Sequence, residues 1–256
     1  MWKEWQMRFD ANLSMLFTDL PLLERPAAAK AAGFDAVEIW WPFAEAVPDV
    51  RDVDRFIAAI RDAGVQLVGL NFFAGDMPAG DRGLVSWAGR QPEFRANVEV
   101  TASIARELGT TVLNALFGNF APSDLALENL AFAADVAAEI GATVVLEPLS
   151  GAPRYPLLTA RDALNVIDSV GRSNVALLAD LYHLAVNGDD LDVLVTEHVD
   201  RIGHVQIADA PGRGEPGTGS LDLFGYLAKI HAGGYQGYVG AEYKPVTGGF
   251  EWKDQA

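Results

Sequence analysis

Short runs of aliphatic and β-branched residues alternate along this chain with longer stretches whose apolar residues recur every three or four positions. The short runs predict strands at residues 6–13, 36–40, 66–71, 111–116, 143–147, 175–180, 203–208 and 238–243. Several, TVVLE and VALLAD above all, are almost continuously apolar, as parallel strands covered on both faces must be. The stretches between them predict helices. In VRDVDRFIAAIRDAG, Val53, Phe56, Ile57 and Ile60 mark one face and the run stops at Gly64. LLERPAAAKAAG stops at Gly33, PEFRANVEVTASIARELG at Gly109 and LALENLAFAADVAAEIG at Gly141, as glycine C-caps do. TARDALNVIDSVG opens on Thr159 with Asp162 three residues later, a capping-box arrangement.

Eight such units in 256 residues average 32 residues each, the dimensions of a (β/α)8 barrel. A doubly wound open sheet is the competitor, but no GxGxxG follows the first strand. No linker or low-complexity tract interrupts the pattern, so residues 1–256 read as one domain.

In such a barrel the active site lies where strands end and βα loops begin. The last four strands end as VVLEP, LLADLYH, HVQIAD and GAEY, which puts Glu147, Asp180, Gln206 and Glu242 at one mouth. A lone Glu at a strand end is more often a loop anchor or a helix cap. Four oxygen-bearing groups on successive strands are harder to assign to chance. Three carboxylates crowded together raise one another's pKa values unless a cation joins them. The hard oxygen set points to Mg2+ or Mn2+ rather than Zn2+.

Two further residues stand beside this set. His183 follows Asp180 in DLYH and reads as a donor to a substrate oxygen or as a loop histidine bonded to backbone. Arg213, in the glycine-rich stretch DAPGRGEPGTGS, offers a planar fork for a substrate carboxylate, or else pairs at the surface with Glu215. Asp209 is expected to brace that loop, with Arg213 as a candidate partner, and Ser220 or Asp222 to start the next helix. His204 shares the parity of Gln206 and is expected one layer deeper, as a core histidine. Glu38 is expected to have a structural role near the site, and Asn12 and Asn71 to lie at its rim. Trp40 and Trp41 suit a pocket wall, the core or a subunit contact. Trp2, Trp5 and Trp252 suit packing or contacts between copies, which leaves a homo-oligomer open.

Composition narrows the function classes. The chain has no cysteine, which excludes disulfides and thiolate metal sites, and its net charge of −16 opposes binding to a phosphate backbone. No apolar run reaches the roughly 20 residues of a membrane span, and no apolar segment follows the charges of MWKEWQMRFD. A cytoplasmic protein without membrane or nucleic-acid partners is the expectation.

RFDANLSMLFTDLP, LNFFAGDMPAGDRGL, LEPLSG, DLYH and HVQIADAPGRGEPGTG together resemble the hydroxypyruvate isomerase family, within the xylose-isomerase-like TIM barrels. The resemblance covers nearly the whole chain. It implies a divalent metal held by Glu147, Asp180, Gln206 and Glu242, with Glu147 and Glu242 as the acid/base pair and His183 and Arg213 as substrate contacts. The expected reaction interconverts a small ketose-type and aldose-type hydroxy-carbonyl acid through an enediolate. The same metal and glutamate pair would serve a ketose 3-epimerase or a 2-oxo-sugar-acid isomerase, and a catalytically silent sugar-acid-binding barrel would keep the ligands without turnover. The chain departs from the family at Ser150 and Ala152, where Ile-Asn and then Asp usually follow LEP. It also departs at Asn114, commonly a His, and at Ser220 after GTG. These departures bear on the substrate rather than on the metal ligands.

Overall fold

The computed structural model describes residues 7–255. Trp2 and Trp5 lie outside this range, as does Gln6 of the first predicted strand. Eight parallel strands close into a barrel in chain order: β1 (Phe9–Asn12), β2 (Ala36–Ile39), β3 (Gln66–Asn71), β4 (Val112–Asn114), β5 (Thr143–Leu146), β6 (Val175–Asp180), β7 (Ile202–Ile207) and β8 (Val239–Ala241). β1 pairs with both β2 and β8, which completes the cylinder. The helices α1 (Arg25–Ala31), α2 (Val50–Ala63), α3 (Gln91–Leu108), α4 (Asp124–Ala138), α5 (Ala160–Val170), α6 (Leu181–Val186), α7 (Leu191–Glu197) and α8 (Leu223–Ala232) fill the connections. None is long and apolar enough to cross a membrane.

Each predicted strand is present, several shorter than expected because the ladder stops where side chains turn into the mouth. β5 ends at Leu146 and β8 at Ala241, one residue before Glu147 and Glu242 respectively. The capping box at Thr159 and Asp162 opens α5, and Asp222, rather than Ser220, caps α8 by accepting from the Gly225 amide. Gly64, Gly109 and Gly171 close their helices in the left-handed conformation. Two short helices, α6 and α7, follow β6 where the sequence pattern marked none; Asp180 itself caps α6 by accepting from the Tyr182 and His183 amides. Trp252 is buried against Phe9 and Tyr243, a packing role.

The barrel interior is not wholly apolar. Below the mouth, Asp10, Glu38 and His204 are buried with ligand atoms within 4.8 Å of one another. His204 Nε2 lies 2.7 Å from Glu38 Oε2. Gly240 makes the room: a Cβ there would stand 2.6 Å from Glu38 Oε1. Among the described residues neither Asp10 oxygen has a hydrogen-bond partner, and burial, followed by the charges of Glu38 and Glu242, pushes this carboxyl well above the usual range.

A carboxyl with a raised folded-state pKa favours folding while protonated and opposes it as pH climbs toward that raised value. Asp10→Asn keeps the shape without the charge. It should raise stability at pH 8 by about 1–3 kcal/mol, with the gain shrinking toward pH 4, as checked by denaturant melts at both pH values. Equal stability of the two proteins at pH 8 would show that Asp10 has a partner.

Candidate active site

The four strand ends converge as the sequence predicts. Glu147, Asp180, His183 and Glu242 each bring one ligand atom within 4.8 Å of the others, and all four are buried. Gln206 sits beside Asp180 and Gly240 in the β6–β7–β8 register. Its amide nitrogen donates to Glu38 Oε1 and Glu242 Oε2, each at 2.7 Å. Carboxylates only accept, so this pairing fixes the amide's orientation and leaves Gln206 Oε1 as the free end. That oxygen is buried and has no donor, and Asp180 Oδ2 is in the same position. Two orphaned hard acceptors beside two buried carboxylates make a donor set that fits a divalent cation.

The carboxylates are held in different ways. Glu242 Oε2 accepts from Asn12 at 2.8 Å, from Gln206 and from Trp40 Nε1 at 3.3 Å, while Oε1 pairs with Arg213. Glu147 Oε2 accepts from Asn114 Nδ2 at 2.8 Å. Its backbone carbonyl accepts from the Tyr155 hydroxyl, which in turn accepts from the Phe117 amide, tying the β4 and β5 loops together. Burial, then the Asp180 charge, pushes Glu147 up to about 8. Burial likewise raises Glu242 well above the usual range, against the pull of Arg213.

His183 is oriented by the loop after β5. The Ser150 amide donates to Nδ1 at 3.0 Å, and Ser150 Oγ lies 2.7 Å from the same nitrogen. A backbone N–H cannot accept, so Nδ1 carries no proton and the neutral ring holds it on Nε2. Burial pulls the His183 pKa down, which keeps the ring neutral. Nε2 stands 3.6 Å from Asp180 Oδ2 and 3.9 Å from Glu147 Oε1. In this tautomer His183 offers a hydrogen to the site rather than a lone pair to a metal.

The loop after β7 is more ordered than its glycines suggest. Asp209 accepts from the amides of Ala210, Gly217 and Leu221, so it braces the loop through backbone and not through Arg213. Glu215 accepts from the amides of Val246, Thr247 and Gly248 and is not Arg213's partner. Arg213 instead reaches Glu242 and comes within 3.8 Å of Asp180, from a backbone held at φ 60°. A left-handed arginine is unusual, and such backbone tends to gather at functional sites.

Several neighbours were placed wrongly or missed from sequence. Asn12 is not at the rim; it is buried and donates to both Glu38 and Glu242. Glu38 takes donors from Asn12 and Gln206, and so holds the candidate ligand Gln206 directly. Asp10 was not noticed at all. Its parity with Asn12 on β1 was the available signal, since alternate residues share a face. Asn71 and Trp40 line a cavity of about 150 Å3 with Glu147, His183, Arg213 and Glu242, and Arg82, also unnoticed, is part of that lining.

The comparisons agree with this architecture. A Streptomyces coelicolor protein assigned as a hydroxypyruvate isomerase is 53% identical, over 93% of this chain and 91% of its own. The 2-oxo-tetronate isomerase of Cupriavidus necator is 36% identical over 94% of each chain. A solved structure from Brucella melitensis, named AP endonuclease, family 2, superposes with a TM-score of 0.86 at 35% identity, over 94% of each chain. The model of the xylose isomerase-like TIM barrel family matches residues 26–256. With the closed parallel barrel and its polar mouth, these matches make the chain a member of the xylose isomerase-like TIM barrel family.

Proposed function

We propose that this chain is a metal-dependent isomerase that interconverts hydroxypyruvate and tartronate semialdehyde, with residues 1–256 working as one domain. The observation that carries the reading is a pair of buried carboxylates, Glu147 and Glu242, facing one small cavity beside acceptors that have no donor. Glu147, Asp180, Gln206 and Glu242 would hold the ion, and their oxygens suit Mg2+ or Mn2+. When bound, such an ion supplies Lewis acidity toward the substrate's oxygens.

The chain's own groups move the protons. Starting from hydroxypyruvate, one of the two glutamates accepts a proton from C3. The enediolate that results is protonated on C2, while the hydroxyl proton passes from O3 to O2, and the acid–base groups end as they began. Burial brings Glu147 up to about 8, where it exchanges protons near neutrality, and raises Glu242 above the ordinary carboxylate range as well. His183 donates its Nε2 hydrogen to a substrate oxygen. Arg213 contacts the substrate while steadying Glu242.

The cavity favours a small acid. At about 150 Å3 it falls below the roughly 300–1,000 Å3 of sites for drug-sized ligands. A four-carbon 2-oxo acid, the class named for the Cupriavidus relative, carries the same reacting unit and is the second reading. A nucleic-acid substrate, as the Brucella protein's name implies for that protein, is opposed here by the net charge of −16 and by an acidic mouth.

Glu147→Gln and Glu242→Gln should each cut solvent-deuterium incorporation into hydroxypyruvate by at least about 100-fold, read by NMR. Full exchange in both variants would remove them from the reaction. Thermal stabilisation by substrate without any exchange in the unaltered protein would mark a binding barrel instead. Protons on the raised carboxyls compete with the cation. Mn2+ added to metal-free protein at pH 7 should therefore release protons, and its affinity should climb as pH rises through about 8. Binding that is flat from pH 6 to 9 would mean these carboxylates are not ligands.

A further inference from the structure

The stretch GDMPAGDRGL between β3 and α3 has no part in the chemistry above, yet it delivers Arg82 to the same cavity as Glu147, His183, Arg213 and Glu242. The loop is locked. Asp76 Oδ1 accepts from the Ala79 amide, and Asp81 Oδ2 accepts from the Asp76 amide while pairing with Arg90 at 2.9 Å. The backbone on both sides of the Arg82 side chain is clamped: its carbonyl accepts from the Gly118 amide at 2.8 Å, and the Gly83 amide donates to the Ala74 carbonyl at 2.9 Å. Gly83 sits at φ +101°, and a Cβ there would fall 1.7 Å from the Leu116 carbonyl oxygen, so the loop seats against the β4 loop only with glycine at this position.

The Arg82 side chain is half-committed. Nη1 donates to the carbonyls of Met77 at 2.9 Å and Asp81 at 2.7 Å. Those bonds fix Nη1, while among the described residues Nε and Nη2 have no partner and no carboxylate pairs with the group. Arg213, by contrast, is charge-paired through Nη2 with Glu242 and lies near Asp180, although its buried Nε has no partner among the described residues. A divalent ion held there would, together with Arg213, balance the three carboxylates Glu147, Asp180 and Glu242. Arg82 is then the cavity cation that no carboxylate pairs with directly among the described residues.

We infer that Arg82 binds the carboxylate of a 2-oxo-3-hydroxy acid and so sets the substrate class, acids over neutral ketoses. The inference rests on the isomerase reading above. The substrate's carbonyl and hydroxyl belong at the metal-and-glutamate side, which leaves its carboxylate for a free planar fork.

The test compares hydroxypyruvate with dihydroxyacetone, in which a hydroxymethyl group replaces the carboxylate, in unaltered protein and in Arg82→Gln and Arg82→Lys. Solvent-deuterium exchange and calorimetric binding of tartronate are both read, with Mn2+ affinity as the check on an intact site. The unaltered protein should prefer the acid. Arg82→Gln should lose about 100- to 1,000-fold in kcat/KM for hydroxypyruvate, mostly through KM, and a similar factor in tartronate affinity. Its exchange with dihydroxyacetone and its Mn2+ affinity should hold, and Arg82→Lys should recover part of the loss. An undiminished preference for the acid in Arg82→Gln, or equal losses on both substrates, overturns the assignment. No exchange with either substrate in the unaltered protein would instead overturn the isomerase reading, and tartronate binding would still decide Arg82.

Discussion

The constraint on which this structure turns is the burial of several carboxylates in one cylinder with too few positive charges to match. Glu38, Glu147, Asp180 and Glu242 are all almost completely buried, and Arg213 pairs with Glu242 and comes near Asp180. Like charges in a low-dielectric interior raise each other's pKa values until protons or cations settle the account. The chain meets part of this with neutral donors. Asn12 and Gln206 each divide one amide group between Glu38 and Glu242. Amides can orient carboxylates but cannot neutralise them, so the remaining charge is available to a ligand.

The barrel supplies what such an arrangement needs. A closed parallel sheet fixes the spacing of successive strand ends, so groups some thirty residues apart in sequence are held as neighbours by ladder hydrogen bonds and not by loops. The register sets Asp180 beside Gln206 and Gln206 beside Gly240. Gly240 is as much a part of the site as the acids. With no side chain there, the Glu38 carboxylate can occupy the barrel axis and hold Gln206 from below. The loops are then built to be stiff. Asp209 gathers three backbone amides within its own loop, and Glu215 joins that loop to the one after β8. Asp209 and Glu215, whose oxygens are taken up by backbone amides, anchor loops, whereas the side chains of Glu147 and Glu242 accept from side chains.

Those two fates explain what the sequence could and could not reveal. The eight strands were legible because each is a short apolar run with few alternatives. The four convergent groups were legible because one unit length separates them. The partners of Arg213 were not: Glu215 and Asp209 are near it in sequence, yet backbone amides outcompete it for both, and Glu242, 29 residues on, takes it instead. Asn12 was expected at the rim, although it lies within the strand predicted at 6–13. In fact Asn12 closes β1 and pairs with Glu38 of β2, which turns it inward. The helices α6 and α7 escaped notice because each is only six or seven residues long, too short for a helical period to declare itself. Arg82 was invisible for a different reason. Its meaning lies in what it does not bond, and only a folded cavity shows that.

The departures at Asn114 and Ser150 take on physical sense in this light. Asn114 stands where the resembled family commonly has a histidine, and it donates to Glu147 Oε2 as a histidine N–H would. Orientation is therefore kept, but a titratable group is lost, and an asparagine can neither hold nor pass a proton. Ser150 acts on His183 partly through its backbone amide, which any residue but proline supplies, so the tautomer survives the change of side chain. Both substitutions preserve geometry, and the one at Asn114 also takes a titratable group from beside Glu147. Of the glutamate pair, Glu147 is the less committed: it accepts one side-chain donor, whereas Glu242 is held by Asn12, Gln206, Trp40 and Arg213. The two acids are alike in burial and unlike in attachment, and that difference comes from which neighbours can donate rather than from any difference between the glutamates themselves.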